Sequence, residues 1–204
     1  MGTQERRSRQ KGVLRQEILD TARDLFAREG YENVTMRRIA DQIEYSPTTI
    51  YLHFKDKAEL LHQVCEDTFS QLADHIERLG DESDDPVTTL RKGLRAYIDF
   101  GLAHPNHYRV TFDMPSHYTE TPTGEYFLCT QGGRAFSSLV HAVEVSVRSG
   151  RFPRADVQLA SQILWAAIHG LTSLMINHPN FPWADPDALI DALIDSTVKG
   201  LESA

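Results

Sequence analysis

The chain has 204 residues, 41% of them hydrophobic and 25% charged, with a net charge of -8; this is enough apolar material for one sizeable core, or for a small domain joined to a larger one. No run approaches the ~20 consecutive apolar residues of a membrane helix, and the polar start MGTQERRSRQKG lacks the apolar stretch of a signal peptide. Cys65 and Cys129 have no close Cys or His partner at zinc-ligand spacing, so disulfide scaffolds and zinc fingers are poor readings and a folded, soluble, cytoplasmic protein with no membrane partner is expected.

The charge is unevenly placed. Residues 1–57 hold 11 Lys and Arg against 9 Asp and Glu, whereas residues 58–204 hold 10 against 20. A negative total therefore does not argue against a nucleic-acid-binding first part. Arg6, Arg7, Arg9, Lys11 and Arg15 crowd the first fifteen residues against Glu5 alone, although a disordered tail would look the same.

In chain order, Ile18, Leu19, Ala22, Leu25 and Phe26 recur at helical spacing before Gly30 and predict an amphipathic helix over residues 13–29. Thr35 caps a short second helix, with Met36, Ile39, Ala40 and Ile43 on its buried side, and Ser46-Pro47 starts a third. Asp56 and Glu59 resemble a capping box that opens a long fourth helix reaching Leu79. An acidic turn follows at 80–86. Leu90, Leu94, Tyr97 and Ile98 then mark a fifth helix, HPNHYRVTF (104–112) a short one, and 114–125 is the least ordered-looking stretch of the second half. Three more segments close the chain: a long helix from about Glu125 to Ser149 despite Gly132-Gly133, another through Val157 to Met175, and a last one capped at Asp185-Pro186. With no strand alternation and no internal repeat, the fold class is all-α.

The stretch SPTTIYLHFKDKAELL, residues 46–61, combines several requirements. Two short helices joined by a tight turn and held by a preceding helix form a helix-turn-helix, whose second member fits a major groove about 12 Å wide. Ser46 and Pro47 set where that helix starts. Thr48 and Thr49 fall on its exposed side, where a hydroxyl bonds a base edge and a methyl packs on thymine. Ile50 and Phe54, four apart, point the other way into the core. Tyr51 and His53 offer an O–H and an N–H where a DNA backbone would pass, and Lys57 opens a helix whose dipole favours an anion.

TMRRIADQIEYSPTTIYLHFKDKAELL closely resembles the DNA-binding segment of the TetR family of transcriptional regulators, with its fixed Tyr-x-His-Phe-x-x-Lys pattern at Tyr51, His53, Phe54 and Lys57. The resemblance covers about residues 13–62. It implies phosphate contacts from Thr35, Tyr51, His53 and Lys57, and base readout from Thr48, Thr49 and Arg37. Arg37 and Arg38 adjoin on one short helix, so one of the pair faces solvent or an acid. The family usually places Gly in the turn, whereas this chain reads IEYS with Glu44 there. A non-glycine in the left-handed conformation costs roughly 1–2 kcal/mol, so either the turn differs or the cost is accepted.

The expected division is an N-terminal arm and three-helix helix-turn-helix domain at 1–57 and a larger helical effector-binding and dimerisation domain at 58–204. Two half-sites about 34–36 Å apart require a dimer. Ile163, Ala167 and Leu171, with Leu189, Leu193, Ile194 and Val198, supply the apolar face for a four-helix homodimer interface, a buried core helix being the plainer alternative. ILWAAIHGL, with Trp165, His169 and Gly170, resembles the so-called WHG ligand-binding domain of some TetR-like regulators. Tyr97, Phe100, Tyr108, Phe112, Tyr126, Phe127, Trp165 and His169 are candidates to line an effector pocket for a small apolar or aromatic molecule, and each equally suits a filled core.

The function expected is a homodimeric repressor acting on a double-stranded DNA operator and released by a small-molecule effector, with no catalytic residues, no metal and no cofactor. One alternative is a DNA-binding protein without an effector. The other is a helical metal protein or enzyme using the histidines, for which His104 and His107 lie three apart but lack a neighbouring carboxylate.

Overall fold

The computed structural model describes residues 3–79, 85–113 and 129–202. Every regular element among them is helical: α1 (Thr3–Glu29), α2 (Met36–Gln42), α3 (Pro47–Tyr51), α4 (Lys57–Glu77), α5 (Pro86–Ala103), α6 (Pro105–Tyr108) with a π-helical turn at Arg109–Asp113, α7 (Gln131–Arg148), α8 (Val157–Asn177) and α9 (Pro186–Glu202). The chain divides into two compact units, and the boundary falls inside α4 between Thr68 and Phe69; the segment beginning at Asn106 belongs to the first unit.

Short polar side chains start these helices, at Thr35, Ser46 and Asp185 as the sequence predicts and at Asp156 in addition. Thr35 Oγ1 accepts from Arg38 N at 3.0 Å and Ser46 Oγ from Thr49 N at 3.3 Å. Asp156 and Asp185 do the same at α8 and α9, accepting from Leu159 N at 2.8 Å and Ala188 N at 2.9 Å. Each such cap satisfies an amide the helix cannot, worth about 1 kcal/mol. The box at α4 closes with a shift: Asp56 accepts from Glu59 N at 2.8 Å, and Glu59 reaches back to Lys55 N at 2.6 Å rather than to the capping residue itself.

Two boundaries differ from expectation. α1 begins at Thr3, ten residues before the expected start, because QERRSRQK are good helix formers and Gly12 sits in open space. α7 begins at Gln131, so Gly132 and Gly133 lie in its first turn rather than mid-helix. Thr130 Oγ1 caps the Gly133 amide at 3.0 Å, and a Cβ on Gly132 would come within 3.3 Å of the Phe69 ring. The stretch 114–125 and the expected helical start at Glu125 lie outside the described residues.

In the first unit the core is formed by Ile18, Leu19, Leu25 and Phe26 of α1, Met36 and Ile39 of α2, Ile50 and Phe54 around α3, Leu60, Leu61 and Val64 of α4, and Val110 of the π turn. Fully burying one such side chain contributes about 1.5–3 kcal/mol. The 2% exposed Arg23 enters this unit in ionic contact with Asp67 and Asp20.

In the second unit α5, α7, α8 and α9 pack on one another. Leu90, Leu94 and Ile98 of α5, Val143 of α7, Leu164 and Ile168 of α8 and Ile190, Ile194 and Val198 of α9 are buried. By length and composition α8 is apolar enough to cross a membrane, with a mean hydropathy of 1.4 over its most apolar window, a property missed in reading the sequence for uninterrupted apolar runs. The buried Ala160, Leu164, Ile168 and Ile176 make it a helix of this unit's core, while Leu159, Ile163 and Leu174 on the same helix stay about half exposed.

Candidate functional site

The turn between α2 and α3 decides how α3 is presented. Ile43 caps α2, Tyr45 N donates to Ala40 O at 3.0 Å and Glu44 N to Asp41 O at 3.4 Å. These are the two bonds of a Schellman turn, which requires a left-handed residue between cap and exit. That residue is Glu44, at φ 59°, and no other non-glycine among the described residues has positive φ. Of the two possibilities the sequence left open, the chain therefore keeps the turn and accepts a β-carbon in it.

From this turn α3 leaves with two faces. Ile50 is fully buried and Phe54 nearly so, with the Arg15 guanidinium 5.1 Å from the Phe54 ring centre. On the other side Ser46 and Thr48 are exposed, Pro47 and Thr49 half-buried, and Tyr51 is 54% exposed. Thr49 Oγ1 lies 2.9 Å from Ser46 Oγ, so the cap also orients the Thr49 hydroxyl. Tyr45 and Leu52 are exposed beside them, although sequence reasoning did not single them out; their neighbourhood to the turn and to Tyr51 was the available signal.

The paired arginines of α2 separate by their partners. Arg38 donates to Gln42 at 3.0 Å and pairs with Glu29 at 3.1 Å, whereas Arg37 is exposed and forms no ion pair among the described residues. Lys57 carries a job that the sequence did not reveal. Its Nζ donates to Tyr31 O at 2.8 Å and Val34 O at 3.0 Å and sits 4.1 Å from the Tyr31 ring centre. A charged donor thus ties the α1–α2 connection to the start of α4. His53 is half-buried, and its Nδ1 is enclosed without a hydrogen-bond partner among the described residues. Burial, then the charges of Lys11 and Arg15, hold this imidazole below its ordinary pKa.

The expected effector set is divided. Tyr97 is buried with its O–H 3.0 Å from His169 Nδ1, and Trp165 stands between His169 and Phe136 at ring distances of 5.7 and 5.9 Å. Phe100 stacks on His104 at 4.9 Å. Tyr108 at the end of α6 and Phe112 of the π turn pair with each other at 4.7 Å and belong to the first unit. Tyr126 and Phe127 lie outside the described residues. An open groove of about 620 Å³ in the second unit involves none of these aromatics and is lined instead by Arg91, Arg95, Asp191 and Asp195 among others. Its charges pair internally, Arg91 with Asp195 and Arg95 with Asp99, Asp187 and Asp191.

The expected dimer face needs one correction. Ile194 and Val198 are 5% and 0% exposed within the single chain, because α9 turns its Ile190–Ile194–Val198 stripe into its own unit. Ile163 is exposed, and Ala167, Leu171, Leu189 and Leu193 are partly so, which leaves them on the outer side. Among the described residues no three His, Cys, Asp or Glu side chains gather as a metal-binding group.

A capped short helix with one buried and one open face, set by a Schellman turn against a preceding short helix and followed in the chain by a larger all-helical unit, is a helix-turn-helix joined to a second helical domain. Residues 18–64 match the family model for bacterial regulatory proteins of the tetR family, and residues 90–197, just over half the chain, match the tetracyclin repressor-like C-terminal domain. The chain therefore belongs to the TetR family. It is 31% identical over 90 residues to an HTH-type transcriptional regulator of Staphylococcus aureus (strain MRSA252), an overlap of 44% of this chain and 49% of that one, so the chain spans about half the length of the curated relatives it matches. Among solved structures, a protein of unknown function from Rhodococcus sp. RHA1 superposes with a TM-score of 0.77 at 22% identity over 93% of this chain and 95% of that one. A TetR family transcription regulator from Marinobacter aquaeolei VT8 gives 0.74 at 20% identity, covering 97% and 98%. The fatty acid degradation regulator FadR from Bacillus halodurans gives 0.71 at 18%, covering 90% and 94%. At these identities the structures speak for the fold.

Proposed function

We propose that the protein is a cytoplasmic, homodimeric transcriptional repressor, not an enzyme, that reads an operator with α3 and leaves it when a small apolar molecule binds the second unit. The observation that carries this reading is the two-sided α3: Ile50 and Phe54 anchor it while Ser46, Thr48 and Tyr51 remain open to solvent and Thr49 is half-buried beside them. Thr48 and Thr49 would meet base edges, with Arg37 beside them, and Tyr51, His53 and Thr35 would meet phosphates. Lys57 would act mainly as the tie that holds α4 to the first connection, keeping its N-terminal amides in place for a phosphate.

Dimerisation is supported by what α8 and α9 leave uncovered. Leu159, Ile163 and Leu174 are exposed at near-heptad spacing, with the small Ala166 and Gly170 between them allowing close approach of a second copy. For the effector, Tyr97, Trp165 and His169 offer an aromatic surface with polar ends, and the description of one structural neighbour as a fatty acid degradation regulator fits an apolar ligand. Binding would lower operator affinity by the ligand's preference for the non-binding state.

Selection of bound sequences from a random duplex library with the full chain tests the central claim. A palindromic motif with half-sites one helical turn apart is expected. Binding that is salt-sensitive but blind to sequence would overturn it.

A further inference from the structure

The α1 extension that begins at Thr3 builds one side of a second cationic surface beside the reading helix. Arg6, Arg9, Val13 and Glu17 fall at spacings of three, seven and eleven, so one helix face carries them all. This face and Lys11 line an open groove of about 850 Å³ whose opposite side is formed by Tyr45, Thr49, Leu52 and His53. Three cations against the single carboxylate of Glu17 make the groove positive, in a chain whose net charge is -8.

Its chemistry is that of a nucleic-acid backbone rather than of bases. Val13, 63% exposed, and Leu52, 73% exposed, put apolar surface where a deoxyribose would lie, and the cations stand next to it for phosphates. The depressed pKa of His53, to which Lys11 contributes, indicates that the field of the α1 cations reaches across to the α3 side.

We propose that the amino-terminal turns of α1 and the exit of α3 together clamp one DNA strand flanking the base-reading site, Arg6, Arg9 and Lys11 each facing the backbone. This deepens the DNA-binding reading above and rests on it. From Arg6 to Lys11 the helix rises about 7.5 Å, about two steps of the roughly 3.4 Å of duplex axis between phosphates of one strand, a span that matches three successive phosphates. The clamp adds affinity for any duplex and leaves the choice of sequence to Thr48 and Thr49.

The test compares the full chain with the triple variant Arg6→Ala, Arg9→Ala, Lys11→Ala by fluorescence anisotropy over a salt series, on a duplex carrying the library-selected motif and on a scrambled duplex of equal length. Each phosphate contact contributes about 0.9 to the slope of log affinity against log salt, so the variant, which removes three, is expected to lose about 2.7 from that slope, and about tenfold or more in affinity at low salt, on both duplexes. It should still select the same motif. All three side chains are exposed, so the thermal midpoint should not move, and the charge-keeping variant Arg6→Lys, Arg9→Lys should retain the slope. An alanine variant with unchanged slope and affinity on the selected motif overturns the clamp, leaves base reading intact and points to an acidic protein partner for the groove. Failure of the unaltered chain to select any motif overturns the base-reading proposal instead.

Discussion

Replacing Glu44 by glycine should stabilise the protein, because the β-carbon at φ 59° is the strained feature of the helix-turn-helix. A left-handed non-glycine costs roughly 1–2 kcal/mol. Glycine removes that cost but gains about 0.4–1 kcal/mol of unfolded-chain entropy that folding must remove. The Schellman bonds from Tyr45 N and Glu44 N are main-chain and survive the change. The net expectation is a gain of about 0.5–1 kcal/mol, or roughly 2–8 °C in the transition that reports the first unit. Urea unfolding followed by circular dichroism measures it, with Glu44→Gln as control: glutamine keeps the β-carbon and removes only the charge. If Glu44→Gly is no more stable than Glu44→Gln and the parent, the turn is not under strain and the reasoning is refuted. Both variants remove a negative charge beside the reading helix, so both should bind DNA more tightly at low salt; only the glycine should also raise stability.

The tie at Lys57 predicts that Lys57→Met destabilises the first unit by about 1.5–3 kcal/mol, the range for hydrogen bonds from a charged group, as read from the urea midpoint. Tyr51→Ala should weaken binding to every duplex while leaving the salt slope unchanged, because a neutral O–H releases no counterion, whereas Thr49→Ala should alter the motif recovered from a library. At the outer face, Ile163→Asp should yield folded monomers by analytical ultracentrifugation, while Val198→Asp should fail to fold because that position is wholly internal. His53 has a folded-state pKa below its ordinary value, so the unfolded chain takes up the proton first. Its contribution to stability is fully present above about pH 6.5 and is lost as the pH falls through the unfolded-state value toward the lower folded one. His53→Gln should therefore show a shallower decline of stability between about pH 7 and 5, measured by denaturant unfolding across that range.

Much of the first unit was legible because its determinants are local. Thr35, Ser46 and Asp56 each act on an amide three residues on, and Ile50 and Phe54 follow the helical period, so caps and faces could be placed without knowing what packs against them. The Glu44 turn was legible as a conflict: the sequence showed a residue where the conformation disfavours a β-carbon, and only the backbone showed which side yielded. Arg37 and Arg38 are alike as letters; Glu29, nine residues away, distinguishes them.

What tertiary structure alone decided concerns partners distant along the chain. Lys57 reaches carbonyls 23 and 26 residues back, and Tyr97 meets His169 across 72 residues. Burial of Ile194 and Val198 rather than Leu189 and Leu193 follows from the rotation of α9 about its axis. An apolar stripe wide enough for two contacts does not say which is internal, since the hydrophobic effect has no direction of its own. Tyr108 and Phe112 joined the first unit because the π turn carries Val110 into that core. Periodicity and capping act within a few residues and can be read from sequence; the choice among equivalent apolar or charged faces depends on the geometry of packing and cannot.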